Sequence, residues 1–127
     1  MTKRILVVDN EPAIQEVAQI CLETIAGWEV VTANSGYECL DKAATYQPDA
    51  ILLDVMMPEM DGITTFHKLQ ENPVTQAIPV IFLTAQAQSS DRQKFMQLGV
   101  KAAIAKPFHP IELATQVAHA LGWELEM

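Results

Sequence analysis

Short apolar runs and amphipathic stretches alternate along the chain from end to end. The runs are Ile5-Leu6-Val7-Val8, Glu29-Val30-Val31-Thr32, Ala50-Ile51-Leu52-Leu53, Val80-Ile81-Phe82-Leu83 and Ala102-Ala103-Ile104-Ala105. Three of them are almost continuous in hydrophobicity, the pattern of strands covered on both faces. The fifth is weak, because alanine has poor strand propensity.

Between the runs the period changes to that of a helix. Ile14, Val17, Ala18, Cys21, Leu22 and Ile25 follow the i, i+3, i+4, i+7 spacing of one buried face, and Gly27 stands where a left-handed cap would end it. Ser35 with Glu38 three residues on predicts a capping box at the start of a second helix. Asp61-Gly62 precedes a third, which must stop before Pro73. Ser90 with Gln93 suggests a capping box for the fourth, closed by Gly99. Pro110 is expected at the first position of the fifth, with Leu113, Ala114, Val117, Ala118 and Leu121 as its buried stripe. Five strand–helix units joined by short connections predict an α/β fold, (βα)5, with a five-stranded parallel sheet and helices on both sides. No repeat, low-complexity tract or linker interrupts residues 1–127, so one domain is expected.

Eight basic residues against sixteen acidic ones give a formal charge of −8. That balance argues against direct binding of nucleic acid, whose phosphates call for Lys and Arg. Cys21 and Cys39 are too far apart for a CxxC motif and are expected to be reduced, buried thiols. The first apolar run is too short for a signal peptide or a membrane span, so a cytoplasmic protein with no membrane partner is expected. His67, His109 and His119 match no metal-ligand spacing. His109 beside Pro110 reads as a helix cap, and the other two as surface residues. Trp28, Trp123 and most of the six methionines read as packing residues, although Met56, Met57 and Met60 could form part of a partner surface.

Ligands of open parallel sheets bind beyond the carboxyl ends of the strands, where the strand order reverses. Those ends carry Asp9-Asn10-Glu11, Asp54, Thr84 and Lys106: two acids, a hydroxyl and an amine. Each has an ordinary explanation by itself, as a helix cap, a turn residue or a solvated lysine. Their coincidence at four strand ends does not. Carboxylates brought together repel, and a cation is the natural remedy.

Ile5-Leu6-Val7-Val8-Asp9, the block from Pro48 to Gly62 containing Leu53-Asp54 and Met57-Pro58-Glu59-Met60-Asp61-Gly62, then Thr84-Ala85, Gly99 and Lys106-Pro107-Phe108 together resemble the receiver domain of two-component response regulators. The resemblance runs through essentially the whole chain. It implies a doubly wound, flavodoxin-like sheet of order 2-1-3-4-5, as in chemotaxis regulators. It implies that Asp54 is the phosphoacceptor, supplied by a sensor histidine kinase or a phosphotransfer protein. Mg²⁺ (or Mn²⁺) would be held by Asp54, by Asp9 (through water), by Asn10 and by the backbone carbonyl of Met56. Lys106 and Thr84 would contact phosphoryl oxygens, and a cis peptide would precede Pro107. The chain would be a switch for protein–protein contacts, acting on a downstream target or output domain, and not an enzyme beyond its own phosphorylation and dephosphorylation. It would be a monomer or a phosphorylation-dependent dimer. Only Gly122 to Met127 follow the fifth helix, so it is expected either to act alone or to be a piece of a longer regulator.

Three positions depart from the family pattern. Asn10 replaces an acid that ordinarily ligates the metal, which predicts weaker Mg²⁺ binding, with Glu11 alongside as a possible compensation. Ala103 replaces an aromatic ring that swings inward on phosphorylation, so the signal should be read through Thr84, the loop after it and the fourth helix. Met56 and Gln86, two residues beyond Asp54 and Thr84, border the path of the attacking water, and Met56 predicts slow self-dephosphorylation. The alternative is a pseudo-receiver, the same fold used only for docking. A haloacid dehalogenase-type phosphatase would need an acid where Met56 stands, and a flavodoxin would need a Ser/Thr/Gly-rich loop where Asn10-Glu11-Pro12 stands. The phosphoacceptor reading requires Asp54 to lie near Lys106 and to face solvent.

Overall fold

The computed structural model describes residues 2–85 and 89–124, with the backbone alone at 89 and 90. All five apolar runs are strands: β1 (Arg4–Val8), β2 (Glu29–Ala33), β3 (Ala50–Asp54), β4 (Val80–Thr84) and β5 (Ala102–Ala105). They form one parallel sheet of order β2-β1-β3-β4-β5. The weakest expectation holds as well: β5 pairs along its whole length with β4, from Ile81↔Ala102 to Thr84↔Ala105. Pairing and the burial of Ile104 outweigh the low propensity of its alanines.

The helices are α1 (Pro12–Cys21), α2 (Gly36–Tyr46), α3 (Gly62–Glu71), α4 (Ser89–Leu98) and α5 (Leu113–Leu121). Because successive strand residues point to opposite faces, each apolar run feeds two cores. Leu6, Val8, Ile51, Leu53, Val80 and Phe82 pack with Cys39, Ala43, Phe66, Leu69 and Phe95 from α2, α3 and α4. Ile5, Val7, Leu52, Ile81 and Leu83 pack with Ala18, Leu113, Ala114, Val117 and Ala118 from α1 and α5. Phe82 meets Phe66 and Phe95 edge-on, at centroid separations of 5.9 and 5.2 Å, which locks α3 and α4 to the middle of the sheet.

Local signals behave as chemistry demands. The Ser35 hydroxyl accepts the Glu38 N–H at 3.1 Å, while the Glu38 carboxylate pairs with Lys42 at 2.9 Å. Asp61 caps α3, accepting the Thr64 N–H at 2.8 Å. Cys21 and Cys39 are free and buried, and burial pushes the Cys39 thiol up to about 12. Met57 and Met60 are core residues, so of the three loop methionines Met56 alone is exposed.

Four expectations need correction. Helix α1 does not run evenly to Gly27: Leu22–Ala26 form a π-helical turn before the left-handed glycine (φ 69°). Leu22 is fully buried, whereas Val17, expected on the apolar stripe, is 39% exposed. Helix α5 begins at Leu113, because Pro110–Glu112 form a tight turn. His109 closes that turn through its backbone, its carbonyl accepting the N–H groups of Glu112 and Leu113 at 3.0 and 3.1 Å. Helix α4 starts at Ser89, one residue before the expected cap; the Ser90 side chain and Gln86 lie outside the described residues.

Candidate functional site

The strand order reverses between β2-β1 and β3-β4-β5, so the carboxyl ends of β1 and β3 border the crevice that such sheets use. β1 and β3 are neighbours in register, Val8 opposite Leu53, which brings Asp9 and Asp54 side by side. Both carboxylates are buried, Asp9 completely and Asp54 to 2% exposure.

Asp9 is held on several sides. Its N–H donates to Ala33 O at 3.1 Å, and its Oδ1 accepts the Glu11 N–H at 2.9 Å. The Gln15 amide donates to the Asp9 carbonyl at 2.5 Å, to Ala33 O at 3.3 Å and to Asn34 Oδ1 at 2.6 Å. Gln15 thereby ties the first turn of α1 to the ends of β1 and β2. Sequence reasoning missed it, since a lone glutamine on a helix gives no signal.

Asp54 is less well served. Its Oδ1 accepts the Met56 N–H at 3.3 Å. Its Oδ2 is buried with no hydrogen-bond partner. Lys106 reaches back past β4 from the end of β5 and places Nζ 2.9 Å from Asp9 Oδ2, 3.4 Å from Asp54 Oδ2 and 3.6 Å from Glu11 Oε1. The first contact is a charge-assisted hydrogen bond; the second is an ion pair that leaves the oxygen's hydrogen-bonding capacity unmet.

The electrostatics follow. Burial, and then the charge of Asp9, push the Asp54 carboxyl up to about 6, although Lys106 and the Met56 N–H pull the other way. Burial acts to lower the Lys106 pKa, but Asp9 and Asp54 outweigh it and hold the ammonium above its usual value.

The remaining candidates lie at or just beyond the same strand ends. Thr84 ends β4, fully buried, and its carbonyl accepts the Lys106 N–H at 2.9 Å. The Lys106–Pro107 peptide is cis. Asn10 is exposed next to Asp9, and the Met56 side chain is 65% exposed. Gly62 is a second residue whose role the sequence did not disclose. A Cβ there would lie 2.4 Å from Asp54 O and 2.8 Å from Val55 Cα, so only glycine lets α3 start this close to β3. Its N–H donates to Val55 O at 2.8 Å.

Of the two conditions set by the sequence, nearness to Lys106 is met. Exposure of Asp54 to solvent is not. The Lys106 side chain, itself only 14% exposed, is held against the carboxylate by ion pairs with Asp9 and Asp54.

The donor set suits a hard divalent cation. The oxygens of Asp9 and Asp54, the Asn10 amide and the Met56 carbonyl are the ligand types that such ions take, and the buried Asp54 Oδ2, ion-paired with Lys106 at 3.4 Å, has no hydrogen bond. Among the described residues no three His, Cys, Asp or Glu side chains are grouped as a metal site, in keeping with an amide at position 10.

Comparison with known proteins agrees with this architecture. The model of the response regulator receiver domain matches residues 5–118. The alkaline phosphatase synthesis transcriptional regulatory protein PhoP of Bacillus subtilis is 40% identical over 117 residues, 92% of this chain and 48% of that protein. The response regulator PleD of Caulobacter vibrioides is 41% identical over 98% of this chain and 27% of its own length. This chain therefore spans half or less of these two relatives. A crystal structure of a putative response regulator from Chloroflexus aurantiacus superimposes with a TM-score of 0.86 at 34% identity, covering 96% of this chain and 99% of that one.

Proposed function

This chain belongs to the response regulator receiver family, and from that premise we propose that Asp54 accepts a phosphoryl group from a phosphohistidine of a sensor kinase or phosphotransfer protein. The observation that carries the reading is the convergence of Asp9, Asp54 and Lys106 at the strand ends, with one Asp54 oxygen left without a hydrogen bond; the burial of Asp54 counts the other way. A structural carboxylate would be better satisfied. A reactive one is kept short of partners until its co-reactants arrive.

In this reading an Asp54 oxygen forms the bond to phosphorus as the phosphorus–nitrogen bond of the donor breaks, and the electron pair leaves with the imidazole. Phosphoryl transfer asks the protein mainly for positioning and charge neutralisation. Asp9, Asp54, Asn10 and the Met56 carbonyl would hold Mg²⁺ (or Mn²⁺), which when bound neutralises charge on the phosphoryl oxygens. Lys106 must draw aside from Asp54 to admit the group, and its ammonium then pairs with a phosphoryl oxygen. Thr84, at the neighbouring strand end, donates its hydroxyl to another. Ala103 is half-buried against the α2–α4 core and has no ring to move. The change of state therefore passes to partners through Thr84 and α4.

The product is a signalling state, read by a downstream protein or output domain. The reading includes a cytoplasmic setting, protein rather than nucleic-acid contacts, and a monomer or a phosphorylation-dependent dimer. No helix among the described residues is long and apolar enough to cross a membrane.

Incubation with acetyl phosphate and Mg²⁺ followed by intact mass measurement tests the reading. One added phosphoryl group, absent from Asp54→Ala and from samples with chelator, is the expected result. No mass gain would favour a second reading, a docking module that is never phosphorylated. The 2% exposure of Asp54 and the amide at position 10 are what support that alternative.

A further inference from the structure

We propose that Glu11, although its carboxylate is not grouped with Asp9 and Asp54 as a metal site in this arrangement, supplies from the rim the negative charge that Asn10 withholds, an inference that rests on the metal-dependent reading above. Three carboxylates converge on one ammonium: Asp9 Oδ2, Asp54 Oδ2 and Glu11 Oε1 lie 2.9, 3.4 and 3.6 Å from Lys106 Nζ. A lysine ammonium held by three acids marks a position where the protein's field already favours a cation. The Asp54 oxygen in that group is almost wholly buried and has no hydrogen bond.

The backbone of Glu11 is fixed and its side chain is free to serve. It occupies the N-cap position of α1, where its carbonyl accepts the Ile14 and Gln15 N–H groups and its own N–H holds Asp9 Oδ1. No side-chain capping bond engages its carboxylate, which is 61% exposed and can swing on its stem. The charge count favours the role. Asp9 and Asp54 bring two negative charges and Lys106 offsets one, leaving too little for a divalent ion. Glu11 restores the balance at a distance where Coulomb attraction is still felt. Because the carboxylate is exposed and screened, the effect on affinity should be roughly three- to tenfold, not orders of magnitude.

The test is metal binding by the whole chain without any phosphoryl donor: Mn²⁺ followed by electron paramagnetic resonance and Mg²⁺ by calorimetry. Glu11→Gln should weaken both by roughly three- to tenfold while the metal-free melting temperature stays put. Asn10→Asp should restore the loss in the Glu11→Gln background and add less to the parent chain. Glu16→Gln, the same charge change at an exposed site one turn along α1, should leave affinity alone. Equal weakening by Glu16→Gln would reduce the effect to net charge and overturn the proposal. Unchanged binding in Glu11→Gln, with binding lost in Asp54→Asn, would overturn Glu11's role and leave the metal site standing. A parent chain that takes up no Mn²⁺ at millimolar concentration would overturn both.

Discussion

The two ends of the sheet use the same residue types to opposite purpose. At the amino end Arg4 lies in the open, its guanidinium on both Glu29 oxygens at 3.1 and 3.3 Å and on the Tyr46 carbonyl at 3.0 Å, while its N–H meets Asp49 Oδ2 at 2.7 Å. Each of these charged groups has a partner and lies at the surface. At the carboxyl end Lys106 faces Asp9 and Asp54 in a buried setting, one carboxylate oxygen lacks a hydrogen bond, and an acid is pushed up to about 6. A chain selected only for stability would not leave that oxygen in such a state. Cost in stability at one end, beside thrift at the other, supports the proposal that the carboxyl end is a reactive site.

The sharpest way to break this contrast is to disturb the backbone beneath Asp54. Gly62→Ala would drive a methyl into Asp54 O and Val55 Cα, atoms that cannot rotate away. Urea unfolding should register a loss of about 3 kcal/mol. A silent substitution would mean that α3 can back off from β3, and that the close approach does not position the site.

Asp54→Asn should do the reverse. A folded-state pKa above the unfolded value means that Asp54's contribution is fully present below the ordinary carboxylate pKa of 3.8 and is lost as pH rises through about 6. Above that, the ionised carboxylate burdens the metal-free fold. The amide variant should therefore be more stable than the parent at pH 7.5, by about 2 to 3 kcal/mol, and the difference should fade as pH drops toward 4. Thermal or urea unfolding in chelator across that range would show it. A variant less stable than the parent at pH 7.5 would count against the contrast.

The mildest perturbation belongs to the amino end. The Arg4–Glu29 pair is exposed, with side chains 37% and 54% accessible. Replacing Arg4 with Met should cost less than about 1 kcal/mol, shrinking in high salt. A larger, salt-independent loss would put that end in the same class as the site.

How much of this was legible in the sequence depended on whether the information was local. Strands buried on both faces announce themselves as continuous apolar runs, and even the alanine-rich β5 was placed by its position in the alternation. Asp9, Asp54, Thr84 and Lys106 could be singled out because strand ends are predictable and two acids, a hydroxyl and an amine fall on four of them. The π-helical turn after α1 and the late start of α5 were hidden, since both depend on how a helix seats against the sheet and not on its own residues. Gln15 and Gly62 were hidden for a related reason: one acts through backbone carbonyls of two strands, the other through the side chain it lacks. The burial of Asp54 was hidden because it depends on residues distant along the chain, among them Lys106, 52 positions away and 3.4 Å from its Oδ2.

The central claim is that Asp54 is a strained carboxylate awaiting a cation. Carbon-13 NMR titration of the Asp54 carboxyl, with and without Mg²⁺, addresses it directly. A midpoint near 6 in chelator that moves down when Mg²⁺ is added is the predicted result. A midpoint at the ordinary carboxylate value that ignores the metal would contradict it.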